Sequence, residues 1–156
     1  MADTRELILV RIAAICVAEK TNAGIVTAVR NRGLLKTEAR PACVLLDGDE
    51  TPKLVHNNRR QGRAMLMTPQ VMIMRPELYI LLEEKSPLPD DVGPQLNAKR
   101  IALVAAIAGD MALATLLGSN GGMVYNGCVT DLKSGSSLTG QMRLDFAYTY
   151  TFFPTE

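Results

Sequence analysis

An α/β fold of the α+β kind is predicted: a mixed or antiparallel sheet with a long C-terminal strand, packed by an N-terminal helix and one long helix. Three patterns in the chain predict it. Residues 141–153 alternate apolar and polar, the period of a half-buried strand. Two stretches, 4–19 and 94–117, repeat apolar residues at helical spacing. Between them lie short β-branched runs closed by Gly, Asn and Asp. The 156 residues fit one domain, 1–156, and a 47% hydrophobic content suffices for its core.

The first helix is expected from Thr4 to Glu19. Asp3 can cap its orphan N–H groups, and Glu6 stands where a capping-box glutamate reaches back. Ile8, Ile12 and Ile15 mark one stripe and Leu7, Arg11 and Ala14 another, so the helix is apolar around much of its circumference and predicts burial on more than one side. Thr21-Asn22-Ala23-Gly24 stops it. Two strands follow, Ile25–Arg30 and Ala42–Leu46, the second ended by Asp47-Gly48.

Residues 48–65 read as a long polar loop or exposed hairpin, of a length usually functional or disordered. Residues 66–82 read as extended, with Pro69 and Pro76 predicting an edge or a bend, and residues 86–91 as a stiff linker. Pro94 and Gly118 frame the long helix, expected from 94 to 117. Residues 123–132 form a strand or a hairpin around Asn126-Gly127, and 134–140 a polar loop. The last strand places Met142, Leu144, Phe146, Tyr148, Tyr150 and Phe152 on one face. At about twice the usual length it is expected to project past its own core, or to be paired by a partner chain.

Composition narrows function. Lys and Arg number 17 against 16 Asp and Glu, so no long-range field gathers nucleic acid or an anionic membrane. The apolar run 7–18 lacks a positive n-region and is broken by Arg11, which argues against a signal peptide or membrane span and for a soluble protein. Cys16, Cys43 and Cys128 are widely spaced, and His56 is the lone histidine, so neither a disulfide framework nor a zinc site is expected.

Catalytic chemistry is equally sparse. His56 has no nucleophile motif around it and reads as a solvated loop residue. Asp47-Gly48-Asp49-Glu50 lacks calcium-loop spacing and reads as a polar turn. No catalytic, cofactor or metal residue is therefore assigned. The candidate subunit or partner contacts are Arg59, Arg60 and Arg63 in the mid-chain loop, and Leu144, Phe146, Tyr148, Tyr150 and Phe152 on the last strand.

The order of elements carries a resemblance. It runs from the N-terminal helix through Asn31-Arg32, Arg40-Pro41-Ala42-Cys43-Val44-Leu45-Leu46-Asp47-Gly48 and Pro69-Gln70-Val71. It ends with the long helix and Leu144-Asp145-Phe146-Ala147-Tyr148-Thr149-Tyr150. The chain resembles the tail terminator (minor tail, or tail completion) proteins of long-tailed phages. That resemblance implies a non-enzymatic virion protein of tail or neck, assembled in the bacterial host cytoplasm. It implies a homo-oligomer, a six-membered ring that caps the tail tube, ends its polymerisation and offers a head-attachment surface. Its partners would be the tail tube protein and the head–tail connector or neck proteins. DNA would be only passing cargo in the lumen, with no membrane and no cofactor. Loop 48–65 is longer and richer in arginine than such proteins lead one to expect. The competing expectations are a head-closure or neck adaptor and a small enzyme with a site between subunits that uses Asp47, Asp49 or His56.

Overall fold

The structure is a computed structural model that describes residues 3–53, 69–82, 92–133 and 139–153. Helix α1 (Thr4–Ala18) starts at Asp3, whose side chain accepts from the Arg5 N–H. Strand β1 (Thr27–Arg30) lies parallel to β2 (Ala42–Pro52), and β3 (Gln70–Leu81) returns antiparallel to β2. Helices α2 (Val92–Ala108) and α3 (Met111–Leu117) precede the hairpin of β4 (Gly122–Lys133) and β5 (Thr139–Phe152). The sheet is mixed, in the order β1-β2-β3-β5-β4, and so has the expected fold class.

All described helices cover one sheet face. Ile8, Leu9, Ile12, Ile15 and Cys16 of α1, Leu96, Leu103 and Ile107 of α2, and Leu113 and Leu117 of α3 form one buried cluster with the alternate residues of β3 and β5. The other sheet face carries half-buried residues such as Ile73, Tyr79, Arg143 and Thr149 and has no described helix over it. An antiparallel sheet tolerates this, because alternate side chains can face water.

Four expectations need correction. The single helix 94–117 is broken: α2 and α3 are bent by 57° at Gly109-Asp110. The Asp110 carboxylate accepts from the Leu113 N–H at 2.7 Å and so caps a new helix there. No single described helix is long and apolar enough to cross a membrane, and the α2–α3 pair that reaches that length is bent.

The strand 42–46 does not stop at Asp47-Gly48. It runs on to Pro52 through a bulge between Leu46 and Asp49. Gly48, at φ +66°, is required there, since a Cβ would lie 1.9 Å from the Arg75 carbonyl oxygen. Pro76, read as an edge or bend signal, sits in the middle strand opposite this bulge. Its missing N–H costs no ladder bond where the register is already broken.

Of the two readings of 123–132, a strand or a hairpin, the strand is the one found, and Asn126-Gly127 does not turn the chain. That dipeptide is a bulge within β4, with Gly127 at φ +104°, and the register shifts between Tyr125 and Gly127.

Finally, β5 neither projects nor waits for a partner chain. The sheet is as tall as the strand: β3 and β4 have 12 residues each and β5 has 14. β3 and β4 flank β5 on both sides along nearly its whole length.

Candidate interaction surfaces

The sequence placed its contact residues on β5, and the structure puts most of them elsewhere. Leu144, Phe146, Tyr148 and Tyr150 are at most 2% exposed beneath the chain's own helices. They are core, because both sheet neighbours and the helix layer come from the same chain. Phe146 stacks between Tyr125 and Tyr148, with ring centroids 5.3 and 5.9 Å away. Phe152 alone of that row reaches the surface. Arg59, Arg60, Arg63 and His56, with most of the 48–65 loop, lie outside the described residues, as does the 86–91 linker.

Asp47, Asp49 and Glu50 do not converge on one point. The Arg30 guanidinium binds Asp47 through Nε (2.7 Å) and Glu6 through Nη1 (2.7 Å), tying β1 to β2 and α1. Glu6 is thus drawn from the capping-box role expected of it. The same guanidinium holds both carboxyls below their usual range. Glu50 faces the α1 side near Arg5, and burial pushes its carboxyl up. Asp49 lines the opposite sheet face. Among the described residues no group of three or more metal-ligating side chains forms.

On the open sheet face the two bulges flank a recess of about 540 Å³. It is lined by Asp49, Arg75, Glu77, Asn126, Arg143 and Asp145. Several of its polar groups engage neighbours: Arg143 Nε lies 2.8 Å from Asp145, the Tyr79 hydroxyl donates to Glu77 at 2.7 Å, and Arg75 donates to the Thr51 hydroxyl. Two of its three acids, Glu77 and Asp145, are thus engaged, and among the described residues no thiol or imidazole lines it to serve as the nucleophile or base that group transfer needs.

The outer surface of the helix layer is different. The charged residues within its helices and at the α2–α3 break are Arg5, Glu6, Arg11, Lys99, Arg100 and Asp110. Arg5 donates to the Gly48 carbonyl, Glu6 accepts from Arg30, and Lys99 donates to the Ala23 carbonyl at 2.7 Å. Arg11 grips both oxygens of Asp110, with Nε at 2.9 Å, and holds that carboxyl below its usual range. Arg100 lies beside Tyr125. Each of these six groups is thus engaged within the chain, whereas Lys20, two residues past the end of α1, is exposed. What remains outward is Leu7, Val10, Ala14 and Val17 on α1, at spacings of three and four, with Ile101, Ala105 and Ala108 on α2 and Met111 on α3. Val10 and Val17 are 50% exposed, Ile101 62% and Met111 78%.

The signal for this surface in the sequence is that α1 is apolar around much of its circumference, although its outward side is exposed in the chain by itself. The sequence alone could not show that the two arginines of α1, Arg5 and Arg11, turn to partners 43 and 99 residues away in sequence.

No family model and no curated protein matches the chain.

Proposed function

We propose that this protein is a structural virion subunit of the tail-terminator kind. Its copies close into a ring that caps a tail tube, ends its polymerisation and offers a surface to the head. The observation that carries the reading is the outer helix layer. A helix apolar on both sides belongs in an interior, and here the outward side of α1, α2 and α3 keeps large apolar residues with no free charge among them. Such a surface fits another protein surface. An anionic membrane would call for outward Lys and Arg. A ring of identical subunits needs two unlike surfaces that match, and the apolar helix layer and the polar sheet face are unlike. A net charge of +1 suits a lumen through which DNA slides without sticking.

Native mass spectrometry with negative-stain imaging tests this. Six-fold rings are expected from the wild type. Val10→Glu combined with Val17→Glu changes two exposed positions and should leave the circular dichroism spectrum unchanged while abolishing rings. A wild type with no species above a dimer, indifferent to both substitutions, overturns the proposal.

A further inference from the structure

The two edges of the sheet are not equivalent. At the β1–β2 edge, β1 is only four residues long, and β2 runs on beyond it. Two main-chain groups at the start of that extension are taken by side chains: Arg5 donates to the Gly48 carbonyl at 2.9 Å, and the Asn31 carboxamide accepts from the Asp47 N–H at 3.0 Å. At the other edge, β4 runs for 12 residues, and among the described residues its main chain bonds only to β5. From Gly122 to Thr130 it carries no charge and no proline, two of the guards of an exposed edge; its one guard there is the bulge at Asn126, and Asp131 and Lys133 follow at its end. Val124 and Val129 on it are 57% and 52% exposed.

We propose that this edge is a self-contact, in which β4 pairs antiparallel with β4 of a second copy about a two-fold axis and the two sheets join into one. Unpaired N–H and C=O groups in a row take an extended strand. The opposite edge of a second copy ends in the four-residue β1, so the long edge strand a second copy has to offer is its own β4.

The bulge selects the register. Val124 lies beside Ala147 and Val129 beside Arg143, so the bulge at Asn126 brings two positions five apart onto the same sheet face. With the axis between Asn126 and Gly127, Val124 opposes Val129 of the second copy. Tyr125 then opposes Cys128, and Met123 opposes Thr130. Each pair shares a face, and no like charges meet between Met123 and Thr130. An axis placed on Cys128 would set Val124 of the open face against residues of the helix face. This contact is separate from the ring contact, which lies on the helix layer, and it stands without the ring reading.

Disulfide trapping tests it in the full chain, because directly opposed strand residues have Cα atoms about 4.5–5.5 Å apart, within disulfide reach. On a Cys128→Ser background, Val124→Cys together with Val129→Cys should give a covalent dimer under mild oxidation, and Val124→Cys alone should not. In the wild type, Val129→Lys should weaken self-association in sedimentation by roughly tenfold, since each substitution counts twice across the axis. Both positions are exposed, and an unchanged circular dichroism spectrum confirms the fold. The proposal is overturned if the paired cysteines give no covalent dimer, if the single cysteine traps as well as the pair, or if Val129→Lys leaves association unchanged. Val10→Glu and Val17→Glu report the ring contact, so either contact can fail alone.

Discussion

Tyr148 shows how the burial of β5 is achieved and where it leaves a cost. The ring is fully buried and stacked near Phe146, but its hydroxyl finds no hydrogen-bond partner among the described residues. Burial also pushes its ionisation far up, so the phenol stays neutral. A buried hydroxyl without a partner forfeits water without compensation. Tyr148→Phe should therefore stabilise the protein by about 1 kcal/mol. That corresponds to a rise of about 2–4 °C in melting temperature for a chain of this size. Thermal denaturation followed by circular dichroism checks it, and a fall would mean that the hydroxyl is bonded in solution. Gly48 gives the opposite case. Its positive φ and its contact with the Arg75 carbonyl oxygen leave no room for a Cβ. Gly48→Ala should cost about 3 kcal/mol, from the left-handed backbone and the forced shift together, read as a lower urea midpoint.

Elements were legible where a period was strong and local. The β5 alternation placed Met142, Leu144, Phe146, Tyr148 and Tyr150 on one face, and all five are buried. The alternation could not say what covers that face, because that depends on strand order and on helices distant in sequence. The same blindness explains the misplaced contacts: an apolar face reads alike whether its cover is the same chain or another. Pro76 misled, and Asn126-Gly127 left two readings open, for a related reason. Each is a local turn or edge signal that the sheet absorbs as a bulge or against one. The break at Asp110 was missed because apolar periodicity runs straight through it, although Asp is a residue type that caps helices. It yields a test: Asp110→Ala should cost about 1 kcal/mol more than Asp110→Asn, because asparagine still accepts from the Leu113 N–H. Equal losses in chemical denaturation would show that the cap contributes nothing to the helix break.

For the molecule as a whole, the paired carboxylates set a pH dependence of definite sign. Arg30 holds Glu6 and Asp47 down, Arg11 holds Asp110 down, and Arg32 holds Glu38 down to about 2. A carboxyl whose folded pKa lies below its unfolded value adds stability above the unfolded value, about 4. That stability is lost as pH falls through the folded value. Glu50 is shifted up by burial and works in the opposite sense, favouring the folded state as it takes up a proton. Four groups against one predict a melting temperature nearly flat from about pH 7 to pH 5 and falling below about pH 4. Arg30→Gln should lower the plateau and flatten that acid limb, since two of the four carboxyls lose their partner. These pairs join α1, β1, β2 and α3 within one chain and none involves the exposed valines of α1 or β4. Val10→Glu with Val17→Glu should therefore keep the acid limb of the wild type while reducing the rise of melting temperature with protein concentration, the mark of association, by the share that the helix-layer contact contributes. If the acid limb vanished with the concentration dependence, the carboxylates would be acting across subunits, and the inward pairing of charge that leaves the helix layer apolar would not describe the protein in solution.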